Sequence, residues 1–283
     1  MAELRIIRVL SNNAVLAAGA PHPESGARPA NRVIVDKGIG FGRKVGDQLP
    51  ETSRHPEGKA EYIELSQEHE DLLQYLGDIH PRLLEVTSAS IDLAVDILGP
   101  LHPSVYVILS EHLSFAIERT GRGEVIRSTL ISEMKAAFPA EFFAASLVLD
   151  HLNAQLGSVQ LPEDEATFIA LHLRAARTGE TVKRPLETAN TINRARTLVE
   201  NRLRVDPRLN AEPLSVHLTF ILRRLREDRM RTNAIASTIS ASLPVEMSLA
   251  EDVIRILLNA TELPADIEGE AAFLAVFLHG CRT

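Results

Sequence analysis

Short apolar runs open the chain, and apolar positions at three- and four-residue spacing fill the rest. Residues 4–10, 13–18 and 32–36 are β-branched or aliphatic stretches bounded by Asn, Gly or Pro, and they predict strands. Ser11-Asn12-Asn13 predicts a turn between the first two, because Asn tolerates left-handed backbone angles. Residues 19–31, rich in Pro, Gly and Ala, predict a long hairpin loop, and residues 37–47 form a basic segment carrying Gly38, Gly40, Gly42 and Gly46. Residues 50–60 have two prolines, charges and no apolar period, and predict a linker. From Tyr62 onward the pattern is helical throughout, most clearly over 91–98, 105–117, 144–156, 166–176 and 194–203. Pro162-Glu163-Asp164-Glu165 is a helix-start signal, since Pro suits the first turn and acids there complement the helix dipole. Residues 178–185 mark a second break. The expected fold class is a small N-terminal antiparallel β domain followed by two tandem all-α helical-bundle domains.

The two helical pieces resemble each other. Residues 109–119 (LSEHLSFAIER) and 214–224 (LSVHLTFILRR) agree at six of eleven positions with an offset of 105. The same offset, without gaps, aligns 161–172 (LPEDEATFIALH) with 266–277 (DIEGEAAFLAVF), identical at five of twelve positions. Two segments in one register predict a tandem duplication of a single helical module.

Composition changes this picture in one respect. Of 283 residues, 45% are hydrophobic and 24% charged, enough for packed cores, and the formal net charge is −8. That average hides an asymmetry. Residues 1–50 hold seven Lys/Arg against four acids, a net of +3, so the remainder has 23 basic and 34 acidic residues, a net of −11. An acidic protein argues against a nucleic-acid partner only when its charge is evenly spread. A β head of about 50 residues also buries little surface alone, so dimerisation is expected. The single cysteine, Cys281, permits no intrachain disulfide or multi-cysteine zinc site and fits a reducing compartment. Neither a signal-peptide core nor an apolar run of about 20 residues is present, so a cytoplasmic protein without membrane insertion is expected.

The duplication singles out histidines. His112 and His172 lie 60 residues apart in the first module; in the second, His217 stands 60 residues before Phe277. Imidazole at equivalent places serves proton transfer, metal ligation or phosphate acceptance, or else a structural hydrogen bond kept in both copies. No His-x-x-x-His or Cys pair supports a metal, and no G-x-S-x-G elbow supports a serine hydrolase. The other histidines, His22, His55, His69, His80, His102, His151 and His279, share no spacing and are expected to be solvated. In the head, residues 38–44 (GIGFGRK) match neither a dinucleotide loop nor a Walker A motif. A nucleic-acid surface accounts for them better. Phe41 would stack on an unpaired base, Lys37, Arg43 and Lys44 would neutralise phosphates beside Gly38, and Asn12 and Asn13 would reach base edges. The competing reading is a glycine-bulge turn with Phe41 in a small core.

Taken together, these segments resemble a family, the bacterial transcriptional antiterminators of the BglG/SacY/LicT group. The resemblance rests on residues 8–13 (RVLSNN) and 37–47 (KGIGFGRKVGD) in the head, and on 110–117 (SEHLSFAI) and 161–172 in the first module. It implies a co-antiterminator RNA-binding domain over 1–58 and two phosphotransferase regulation domains over 64–180 and 181–283. It further implies a homodimer that binds an RNA stem-loop in nascent mRNA and prevents terminator formation in sugar-utilisation operons. Control would come from the phosphocarrier protein and a sugar-specific transporter subunit of the phosphotransferase system, acting on phosphorylatable histidines matched by His112, His172 and His217. The fourth position is Phe277, which accepts no phosphate, and His279 lies about 200° further round the helix. No cofactor, metal or catalytic residue is implied, and the protein is expected not to be an enzyme. The alternative is a phosphotransferase-regulated DNA-binding transcriptional activator, against which stands the absence of a helix-turn-helix ahead of the first module. An acid–base enzyme using His112 and His172 is a third reading, without a recognisable pocket.

Overall fold

The computed structural model describes residues 4–18, 31–49, 61–64, 81–157, 159–204 and 207–281. The expected linker at 50–60 and the expected loop at 19–31, apart from Asn31, lie outside them, as do His22, His55, His69 and His80.

Five strands form the head: β1 (Leu4–Val9), β2 (Ala14–Ala18), β3 (Asn31–Val35), β4 (Gln48–Leu49) and β5 (Glu61–Glu64). They pair antiparallel in the order β4-β1-β2-β3-β5. The first three match the predicted strands to within a residue. Alternation along β1 buries Leu4 and Ile6 and leaves Arg5 and Ile7 exposed, as a sheet with one covered face requires. Leu4, Ile6, Val15, Ala17, Ile34 and Leu49 make the small core. Two strands escaped the sequence pattern. β4 is only two residues long, and β5 lies beyond residue 58, where a helical reading was expected from Tyr62. Glu61-Tyr62-Ile63-Glu64 is too short to display a period, and its pairing with Arg32–Val35 decides its conformation.

Ten helices follow among the described residues: α1 (Pro81–Leu98), α2 (Val105–Gly121), α3 (Ile131–Ala137), α4 (Pro139–Leu156), α5 (Asp164–Thr178), α6 (Lys183–Leu203), α7 (Pro207–Arg226), α8 (Ala236–Ser242), α9 (Pro244–Leu258) and α10 (Glu268–Gly280). Adding 105 to α1–α5 lands each on its counterpart in α6–α10. The correspondence extends to helices the sequence comparison did not reach. α3 and α8 coincide end for end, with Phe138 (φ −135°, ψ 58°) and Leu243 (φ −127°, ψ 55°) closing them in the same conformation. Pro139 and Pro244 then open the next helix, where a missing N–H costs nothing.

Packing divides the chain differently from the repeat. One compact unit comprises Met1–Ser128 and Ala140–Val182, the other Thr129–Pro139 and Lys183–Thr283. The short helix α3, first-module by repeat position, therefore packs with the second unit, against α6 and α7. The second unit's core takes Ile192, Ala195 and Val199 from α6, Leu214, Leu218 and Ile221 from α7, and apolar faces of α9 and α10. Each fully buried Leu or Ile there contributes about 1.5–3 kcal/mol. In the first unit Leu109 and Leu113 of α2 and Ile169 and Leu173 of α5 are buried in the same way, which fixes the rotation of the helices bearing His112 and His172.

Candidate functional site

The structure interlocks the two head motifs. The turn at Ser11–Asn13 lies against the loop after β3: Gly40 N donates to Asn12 O at 2.9 Å, Asp36 N to Asn13 O at 3.0 Å, and Gly38 N to the Asn13 side-chain Oδ1 at 2.9 Å. A Cβ on Gly40 would stand 2.0 Å from Ser11 O, so only glycine allows this approach. Asp36 accepts from Lys37 N at 2.8 Å and Asp47 from Lys44 N at 2.9 Å, which pins both ends of the loop. Pinned this way, Lys37, Gly38, Phe41, Arg43 and Lys44 are all exposed, and Phe41 is 75% exposed rather than part of a core. Asn12 is exposed too. Asn13 differs, because both ends of its amide are engaged: Oδ1 on Gly38, and Nδ2 donating to Asp92 of α1 at 3.2 Å.

His112 of α2 and His172 of α5 come together with ring centroids 5.4 Å apart. Glu165, in the first turn of α5 and buried, lies against His112. Its Oε2 is 3.2 Å from His112 Nε2, and its Oε1 accepts from Arg119 at 2.5 Å. Burial raises the Glu165 carboxyl, but the hydrogen bonds from His112 and Arg119 outweigh it and hold it below its usual range. An ionised carboxylate only accepts, so His112 presents Nε2–H to it. His172 is pushed down to about 4, chiefly by burial and further by the neighbouring His112. It is uncharged at neutral pH.

The second module repeats this frame with different occupants. Glu270 replaces Glu165 and Arg224 replaces Arg119, the latter donating to Glu270 at 2.6 and 2.8 Å. Arg231, where the first module has Ile126, adds its backbone N–H at 2.9 Å and two guanidinium contacts at 3.2 Å. Gly269 makes this possible, since a Cβ there would stand 2.1 Å from Arg231 O. The first module has Asp164 in that place, which holds the same loop instead through Ser128 N at 2.6 Å. Burial opposes ionisation of Glu270, yet the two arginines bring it down to about 2. With the carboxylate so occupied, His217 Nε2 is buried without a hydrogen-bond partner among the described residues, and the ring stacks on Phe277 at 4.0 Å and 5°. Burial, then Arg231 and Arg224, push His217 down to about 4.

Three histidines expected to be solvated have partners. His102 Nδ1 lies 2.8 Å from Ser104 Oγ, His151 of α4 bonds Ser90 of α1 at 2.8 Å, and His279 lies 3.2 Å from the buried Glu246. His279 is the repeat counterpart of Arg174, which pairs with Glu141 at 3.1 Å, so it replaces an arginine on a structural carboxylate and does not substitute for the missing fourth histidine. Sequence reasoning missed Glu165, Arg119, Glu270, Arg224 and Arg231. The signal was available for four of these five: Glu165/Glu270 and Arg119/Arg224 are identities of the repeat. Among the described residues no group of three or more His, Cys, Asp or Glu is placed to hold a metal ion. Nor is any helix among them long and apolar enough to cross a membrane.

Comparison with known proteins joins these observations. The family model for the PRD domain matches residues 91–176, the stretch carrying His112, Glu165 and His172. The chain is 32% identical to the beta-glucoside operon antiterminator of Dickeya chrysanthemi over 78% of this chain and 76% of that one. It is 28% identical to the transcription antiterminator LicT of Bacillus subtilis (strain 168), with 78% of each chain covered. Protein GlcT of Staphylococcus saprophyticus is 27% identical over 99% of this chain and 97% of its own. Relatives named as antiterminators favour that reading over a DNA-binding activator. By its PRD domain and these relatives, the chain belongs to the BglG/LicT family of transcriptional antiterminators.

Proposed function

We propose that the β head binds an RNA stem-loop as a homodimer, and that His112, His172 and His217 accept phosphoryl groups from the phosphocarrier protein and a sugar-specific transporter subunit of the phosphotransferase system. The observation that carries the first half is the interlocked turn and loop, which leaves an aromatic face and three cations exposed on one short segment. Base stacking on such a ring is worth roughly 1–3 kcal/mol, and the cations would meet phosphates. The second half is supported by imidazoles kept neutral by burial, and therefore nucleophilic, at His172 and His217. A phosphoryl group moved from a donor imidazole onto His112 would set a dianion beside Glu165, and that repulsion would redirect Arg119.

One reporter experiment tests both halves. A gene placed behind a leader with an intrinsic terminator is read through when this protein is present, and the gain vanishes when the terminator is deleted. An activator of initiation would keep the gain. Phe41→Ala is expected to abolish read-through, and His112→Ala to change its dependence on sugar supply. A gain that survives terminator deletion, or a Phe41→Ala protein as active as the parent, defeats the proposal.

A further inference from the structure

The head's RNA-facing turn already has an occupant. Asp92, half-buried on α1, accepts from Ser11 Oγ at 3.0 Å and from Tyr106 OH at 2.5 Å on one oxygen, and from Asn13 Nδ2 at 3.2 Å on the other. Ser11 Oγ in turn accepts from Asn13 N at 3.0 Å, so the hydroxyl is used in both directions. Burial pushes the Asp92 carboxyl up, with the neighbouring Asp96 adding to it, against the lowering by Tyr106, Ser11 and Asn13. The phenol of Tyr106 is raised as well, by its own burial and by Asp92, which keeps it a donor.

This contact is not needed to fold either partner. The turn is closed by backbone bonds of its own, Leu10 N and Ser11 N both donating to Ala14 O at 3.0 Å. α1 is anchored by buried Leu84, Ile91 and Ala94. What the contact does is consume the polar groups of Ser11 and Asn13 and bring carboxylates to a surface otherwise bordered by cations. Glu85 and Asp92 line, together with Arg8, Ser11 and Asn12, the cavity between α1 and the turn, and Asp96 stands one helical turn further on. A nucleic-acid phosphate approaching Asn12 and Asn13 would meet those carboxylates, and a base edge would find the Asn13 amide already held at both ends.

We propose that Asp92 is an internal competitor of RNA: α1 presents a carboxylate to the Ser11–Asn13 turn, and the head must leave α1 before it can hold RNA through that turn. The inference rests on the proposal that the head binds RNA. Its third member, Tyr106, belongs to α2, the helix of His112, so the contact is anchored on the element that a phosphoryl group at His112 would disturb.

The test uses the full-length chain and a pool of RNA hairpins with randomised loops, with affinity read by filter binding. Asp92→Ala is expected to bind the pool about tenfold more tightly than the parent, equivalent to ~1.4 kcal/mol. Asp92→Asn, which keeps the shape and removes the charge, moves the same way and carries the test if the alanine variant does not fold. Amide exchange at Gly38, whose N–H is held by Asn13, should quicken in both variants. Equal affinities for the parent and both variants overturn the competition and leave RNA binding standing. No binding of the pool by any of the chains overturns the RNA reading itself, and the competition with it.

Discussion

His172 and Phe277 occupy one place in two copies of one module, so the second module shows what the first would be without its second imidazole. A phenyl ring there packs face to face with His217, and the buried carboxylate of Glu270 is satisfied by Arg224 and Arg231. His172→Phe should therefore fold. The imidazole it removes has a pKa lowered from 6.5 to about 4 in the folded chain. Below pH 6.5 the unfolded chain takes up a proton that the folded chain refuses until about pH 4, so stability falls as pH drops through that window. His172→Phe removes this share of the slope. Its thermal midpoint, compared with the parent's, should rise as pH goes from about 7 to about 5, while His217, lowered to about 4 in the same way, keeps its share of the slope in both chains; parallel curves would mean that His172 is not buried as described. His112 was legible in the sequence because the repeat sets His217 at the same place, whereas His172, matched in the repeat by Phe277, was singled out by the family resemblance of residues 161–172. Glu165 and Glu270 were equally visible as identities, but acids in a first helical turn have an ordinary explanation in the helix dipole, and burial beneath an imidazole leaves no mark on spacing.

At the scale of elements, legibility followed length. β1–β3 and the long helices repeat their pattern often enough to be read. The two residues of β4 and the seven each of α3 and α8 span too few repeats of their period to stand out, and only the offset of 105 shows afterwards that α3 and α8 are the same element. Sequence position also misplaces α3, because chain order says nothing about which core a short helix joins. Its docking is chemical as well as apolar. Glu133 is fully buried, accepts from Arg196 of α6 at 2.5 Å, and lies 3.3 Å from Ser215 Oγ on α7. Glu200 and Asn193 hold the other guanidinium nitrogens of Arg196. The repeat counterpart of Glu133 is Thr238, so this ion pair belongs to α3 alone. Glu133→Gln leaves Arg196 with one carboxylate fewer and should destabilise the second unit by about 3 kcal/mol, the lower end for a broken buried pair since Glu200 remains. Denaturant unfolding together with amide exchange in α6 and α7 reads it. A loss confined to the first unit would show that α3 does not stabilise the second.

For the whole molecule the governing quantity is the uneven charge, +3 on the first 50 residues and −11 on the rest. A chain this acidic binds RNA only if the contact is local, because a polyanion at larger distance is repelled by the regulatory modules. Local contact has a measurable signature. Each phosphate neutralised by a cation releases counterions, and log affinity for single-stranded RNA falls against log salt by about 0.7 per contact. Lys37, Arg43 and Lys44 are exposed on the head, so Lys44→Ala should lower affinity for RNA hairpins and reduce the magnitude of the salt slope by about 0.7 per head bound. Phe41→Ala should weaken binding by a comparable or larger factor with no change in slope, because stacking releases no counterions. A slope unmoved by Lys44→Ala would mean that the exposed cations do not meet phosphates. A slope reduced by Phe41→Ala would mean that the ring positions the cations rather than a base. The two variants together therefore separate the parts that the basic loop and its aromatic side chain play in holding RNA against a repelling body.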